Sequence, residues 1–284
     1  MKIRVVTDSA SDLPRGLADE LGIEILPILV YVDGLEYLDG VTLQSDELYQ
    51  RMIEGKNIKT AQIPLAYFMD KFEAYAKGGD YIVYLAFSSV LSGTYQTAVL
   101  AYEAVKEKYP AFTMTIIDTK CVSLGLGVIV TEAAKLAAEG AALEELVSFV
   151  EKSTVNMEHV FSVDDLNYLL RGGRVSKSQA VIGNILNIKP ILHVVDGALV
   201  PFDKAKGTKK KMARMFEYIA ERGKNLDVQT IGIAHALNDE EAQMVKEHFE
   251  TVYGTRRFII NQLGCAVGAH CGPGLITIFF KKEV

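Results

Sequence analysis

The sequence predicts an α/β fold built on a mostly parallel sheet with helices on its faces. Three observations carry that prediction. Short β-branched runs alternate with stretches of helical periodicity, the runs end at polar turns of helix-capping type, and 49% of the 284 residues are apolar, enough for a large core. The first run, Ile3 to Thr7, ends at Asp8-Ser9-Ala10-Ser11-Asp12, where Asp12 can cap a helix entered through Pro14. The same order returns at Tyr81 to Ala86, which meets a Ser-rich turn and a helix near Tyr95–Lys108. It returns again at Thr113 to Ile117, followed by Asp118 and an Ala-rich helix near Gly127–Glu139.

After Lys152 the pattern changes, and a domain boundary is placed near residue 155. A strand at His159 to Val163 leads into Asp164-Asp165-Leu166 and a short helix. A hairpin spans Ile191 to Phe202, because Asp196-Gly197 suits a type I′ turn. A helix near Thr208–Ala220, a strand at Thr230 to Ala234, a helix near Asp239–Tyr253 and strands near Arg256–Ile260 and Leu275–Phe280 complete the chain.

Composition narrows the function. Thirty basic against thirty-six acidic side chains leave a net charge of −6, the wrong sign for a nucleic-acid footprint. Cys121, Cys265 and Cys271 have no paired spacing, so neither a disulfide framework nor a zinc site is expected, and a reducing cytoplasm fits. No stretch is long and apolar enough to span a bilayer. A mean hydropathy of +0.16 is compatible with a large core, an interface between copies or an apolar ligand pocket.

Four segments have the residue types that binding needs. Phe87-Ser88-Ser89-Val90-Leu91-Ser92-Gly93-Thr94 sets hydroxyls and a glycine between a strand and a helix, where backbone N–H groups and the helix dipole favour an anion. Ser92 and Gly93 would be the contacts, and ordinary helix capping fits the same residues. Thr60-Ala61-Gln62-Ile63-Pro64 reads as a second polar turn, opening a helix at Pro64. The glycine-dense run from Gly264 to Gly274 reads as a structured loop that holds His270. Leu169-Leu170-Arg171-Gly172-Gly173-Arg174-Val175-Ser176 ends one helix, offers Ser176 as the cap of the next, and presents two guanidiniums suited to phosphate, carboxylate or an acidic partner. Lys204 to Lys211 reads as a solvated basic face. Asp8, Asp118, Asp164, Asp165 and His235 fall at strand ends, the place for a divalent metal, although none forms a close ligand pair. A metal- or anion-dependent phosphohydrolase using these aspartates is the alternative reading.

Taken in order, Thr7-Asp8-Ser9-Ala10-Ser11-Asp12-Leu13, Thr60-Ala61-Gln62, Leu91-Ser92-Gly93-Thr94-Tyr95-Gln96, Asp164-Asp165-Leu166 with Arg171-Gly172-Gly173-Arg174, Ile188-Lys189-Pro190-Ile191-Leu192 and His270-Cys271-Gly272-Pro273-Gly274 resemble the DegV family over essentially the whole chain. The resemblance implies an N-terminal Rossmann-like domain, residues 1–155, and a C-terminal α/β domain, residues 156–284, with a long-chain fatty acid buried between them. It implies a lipid carrier rather than an enzyme, without metal or organic cofactor, that presents the acyl carboxylate to a separate ATP-dependent fatty acid kinase subunit for acyl-phosphate formation. Carried over by motif, Thr60, Ser92, Gly93 and His270 would hold the carboxylate, with Ala61, Gln62 and Asp8 as secondary candidates. Arg174 and Arg171 would face the kinase. Two positions depart from the family pattern: Ala61 replaces the usual serine, and Cys271 replaces the usual threonine.

Overall fold

The computed structural model describes residues 2–176 and 188–283. The chain opens with β1 (Ile3–Asp8), a 3-10 turn at Ser9–Ser11, α1 (Arg15–Glu20), β2 (Glu24–Leu26), β3 (Leu29–Val32) and β4 (Leu35–Leu38). Next come α2 (Ser45–Ile53), β5 (Ile58–Ala61), α3 (Leu65–Gly78), β6 (Tyr81–Ala86), α4 (Thr94–Lys108), β7 (Met114–Asp118), α5 (Ser123–Ala138) and α6 (Leu143–Asn156). The expected parallel sheet is present, in the order β2-β1-β6-β7. Val5, Val6, Thr7 and Asp8 are all buried, as a central parallel strand with both faces covered requires.

A separate small sheet, β4-β3-β5, is antiparallel. It turns at Asp33-Gly34, where φ is 50° and 86°, the positive pair a tight type I′ hairpin requires. Thr60 therefore lies in β5 opposite Val30 and not in a turn; the helix after it does open at Pro64.

From Met157 the chain builds a second sheet. Its elements are β8 (Met157–Ser162), α7 (Asn167–Arg171), β9 (Ile188–Val195), β10 (Ala198–Lys206), α8 (Thr208–Arg222) and β11 (Thr230–His235). They continue with α9 (Asp239–His248), a π turn over Phe249–Tyr253, β12 (Arg257–Gln262), α10 (Cys265–Cys271) and β13 (Ile276–Lys281). The order is β10-β9-β8-β13-β11-β12, antiparallel except for the β11/β12 pair. The architecture is two-domain α/β, and the hairpin at Asp196-Gly197 has the expected positive φ values, 49° and 84°. A helix capped by Ser176 falls outside the described residues.

α5 joins the four-stranded sheet to the six-stranded one. It is buried on nearly every side from Ser123 to Ala134 and packs against both β1 and β11, which explains its apolar sequence all round. It begins four residues before the sequence suggests. At Gly125 a Cβ would lie 2.4 Å from His159 Nε2, so the missing side chain lets the helix approach β8 and β13.

Three further local readings are corrected. Asp12 does not cap α1; it adopts φ 51° after the 3-10 turn and accepts from the Gly264 N–H at 2.8 Å. The run from Cys265 to Cys271 is the helix α10, not a loop. Lys211 is buried and bonded to Glu241 at 2.5 Å, so the basic run is not solvated throughout.

Candidate functional site

A cavity of about 470 Å³ is lined from both halves of the chain. Ile28, Phe87, Leu91 and Val122 supply apolar wall from the first half, and Phe161, Leu199, Leu275 and Phe279 from the second. Thr60, Ser92, Gly93 and His270, distant in sequence, all line it, as do Ala61, Gln62 and Arg174.

The polar residues fall in two hydrogen-bonded sets that face the same cavity, Thr60 with His270 and the Ser92 to Thr97 segment with Gln62, with Arg174 beside both. β5 carries Thr60, whose Oγ1 is 2.7 Å from His270 Nε2 near the end of α10. With the proton on Nε2, the imidazole donates to Thr60 and leaves the threonine hydroxyl hydrogen free to donate onward. Burial, then the Arg174 charge, push the His270 imidazole down to about 4, so it is neutral at pH 7. Arg174 donates from Nε to the Leu91 carbonyl at 3.1 Å and from Nη1 to the Gly172 carbonyl at 2.6 Å. It thus ties the turn after α7 to the loop that holds Ser92. Ser92 Oγ accepts from the Thr94 N–H at 3.3 Å and shares a 2.9 Å hydrogen bond with Thr94 Oγ1 at the start of α4. Helix starts leave N–H groups without intrahelical partners, and these favour an anion.

Gln62 has another task. Its Nε2 donates to Thr97 Oγ1 at 2.7 Å, and that hydroxyl donates to the Gly93 carbonyl at 3.0 Å. A Cβ on Gly93 would lie 1.9 Å from Gln62 Oε1, so the amide rests where a side chain would begin. Asp8 stands behind the cavity wall, accepting from Ala10 N, Phe87 N and Tyr84 Oη at 3.2, 3.0 and 3.0 Å. Burial pushes its carboxyl up to about 6, against those three hydrogen bonds.

The other strand-end groups are engaged locally. Asp118 accepts from Ser89 N and Oγ, Asp164 pairs with Lys189 at 2.6 Å, Asp165 accepts from Asn167 N, and His235 faces Asp239 at 3.6 Å. Among the described residues, no group of three or more His, Cys, Asp or Glu could hold a metal ion.

A second cavity, of about 640 Å³, adjoins the first through Thr60, Arg174 and His270, which line both. Lys56, Lys59 and Arg171 line this one, no carboxylate is among its described lining residues, and Lys56 pairs with Asp33 at 3.1 Å. The Arg171 guanidinium lies over the Tyr168 ring at 4.7 Å. Sequence reasoning missed Lys56 and Lys59, which show no motif, and Asp39, which anchors α10 from far away. Asp39 Oδ1 accepts from Cys265 N at 2.7 Å and Oδ2 from Ala266 N at 3.1 Å. An acidic residue just after a strand is too common a pattern to mark such a contact.

Comparison with known proteins gives a consistent picture. A family model described as uncharacterised protein, DegV family, matches residues 2–283. A DegV domain-containing protein of Clostridium perfringens is 39% identical, over 99% of this chain and 98% of its own length. A solved DegV family protein from Thermus thermophilus, described for its fatty acid binding, superposes with a TM-score of 0.85 at 30% identity, covering 99% of this chain and 100% of its own. DegV from Bacillus subtilis, described as a fatty acid binding protein, gives 0.87 at 29% identity, covering 98% of each chain.

Proposed function

The chain belongs to the DegV family, and from that premise we propose that it binds a long-chain fatty acid in the 470 Å³ cavity and presents the carboxylate to an ATP-dependent fatty acid kinase subunit. The observation that carries the reading is one cavity in which an extended apolar wall meets the polar residues Thr60, His270, Ser92 and Gly93. A carboxylate entering an apolar cavity must regain the hydrogen bonds it had in water. Thr60 and Ser92 hydroxyls and the start of α4 supply them. The acyl chain contributes by area, roughly 0.8 kcal/mol for each buried methylene. Binding is then this protein's own contribution, and the phosphoryl chemistry belongs to the partner. We further propose residues 1–155 and 156–284 as the two domains, with the ligand between them, and a cytoplasmic location.

The cationic second cavity supports the kinase part of the reading, because it adjoins the carboxylate site and would receive an anionic partner surface or phosphoryl group. Arg174 belongs to both cavities, so Lys59 and Arg171 are the cleaner test. The double variant Lys59→Ala/Arg171→Ala is expected to load fatty acid like the parent. Mixed with a cognate kinase and ATP, it should form acyl phosphate about tenfold more slowly, the loss of charge-assisted contacts. A parent-like rate would move the docking surface elsewhere.

A further inference from the structure

We infer that Gly172 is a positioning residue for the head-group site: its missing side chain is the seat of the His270 imidazole. This rests on reading the polar end of the cavity as a carboxylate site. Gly172 has φ −71° and ψ −14°, a conformation open to any residue, so backbone strain does not call for glycine there. Space does. A Cβ built on Gly172 would lie 2.3 Å from His270 Nδ1 and 3.2 Å from Cε1. Those are ring atoms on a half-buried imidazole, not the free end of a flexible chain, and α10 is held at its other end by Asp39 and Asp12. An added methyl pushes on the ring, and a displaced ring leaves Thr60 Oγ1, 2.7 Å from Nε2. Gly173, by contrast, has φ 72° and open space around it, so it serves the turn. The two glycines between Arg171 and Arg174 thus have different tasks: one makes room for the imidazole, the other bends the chain so that Arg174 returns to the Gly172 carbonyl.

The test is a double-mutant cycle in palmitate affinity, with hexadecanol as an uncharged probe of equal chain length. Gly172→Ala and His270→Ala are each expected to weaken palmitate binding about tenfold, the loss of one hydrogen bond in a charged network. Together they should still weaken it about tenfold, not the roughly hundredfold of independent losses, because the methyl has nothing to displace once the imidazole is gone. Hexadecanol affinity should change less than twofold in all three. Selective 15N labelling should show the His270 resonances shifted in Gly172→Ala. Parent-like palmitate binding by Gly172→Ala, multiplicative losses in the cycle, or an equal loss of hexadecanol binding would each overturn the inference. Failure of the parent protein to bind palmitate at all would instead remove the carboxylate reading on which it stands.

Discussion

Asp39→Ala is expected to destabilise the protein by about 3–5 kcal/mol, since it orphans two buried backbone donors and leaves a small void. Asp39 is 2% exposed, and its two oxygens take the Cys265 and Ala266 N–H groups at the start of α10. The first N–H groups of a helix have no acceptor within it, and the N-cap residue Gly264 has no side chain to accept them. The helix then carries Ala266, Val267, His270 and Cys271 to the cavity wall. Loss of the anchor should therefore lower stability and ligand affinity together. Asp39→Asn keeps the volume but offers one acceptor oxygen to two donors, so a substantial loss is expected there as well. Urea unfolding of parent and variants at pH 7 measures the effect. A change under about 1 kcal/mol would mean that α10 is held by packing against α2 rather than by this carboxylate.

Thr60→Ala and Ser92→Ala are each expected to reduce fatty acid affinity by roughly tenfold to a hundredfold, the value of about 1.5–3 kcal/mol for a hydrogen bond to a charged group. Thr60 can donate onward because the neutral His270 can satisfy the hydroxyl oxygen from Nε2. Ser92 can donate because its oxygen already accepts from the Thr94 N–H, leaving its hydrogen to choose between Thr94 Oγ1 and a ligand. The two losses should reinforce one another less than fully, since one carboxylate is shared. Calorimetric titration of the delipidated variants with one fatty acid provides the comparison. Parent-like affinity in both would place the head group at another part of the wall.

The sequence revealed elements whose signals are local. β1, β6 and β7 stand out as β-branched runs before polar turns, and Asp196-Gly197 announces its hairpin because both residues must take positive φ. Asp33-Gly34 carries the same signal but flanks strands of only four residues, too short for a visible alternation. α10 was illegible for a different reason. Glycine-rich sequence disfavours helix, and the carboxylates that hold this one come from Asp12 and Asp39, more than two hundred residues away in the chain. Lys211 looks like part of a basic surface run until Glu241 is found beside it in the folded chain. At the site, motif-bearing residues could be named, since hydroxyls before helices and a histidine among glycines have a chemical signature. Gly172 and Asp39 could not, because one contributes space and the other a long-range cap, and neither property is written in its neighbours.

The 470 Å³ cavity is expected to hold a fatty acid. Solvent extraction of the purified recombinant protein, followed by mass spectrometry of the extract, tests it most directly. The expected result is a long-chain fatty acid from the expression host at close to one per chain, lost on delipidation and regained from added fatty acid. Protein that repeatedly yields no lipid, and takes up none when it is offered, would contradict the account.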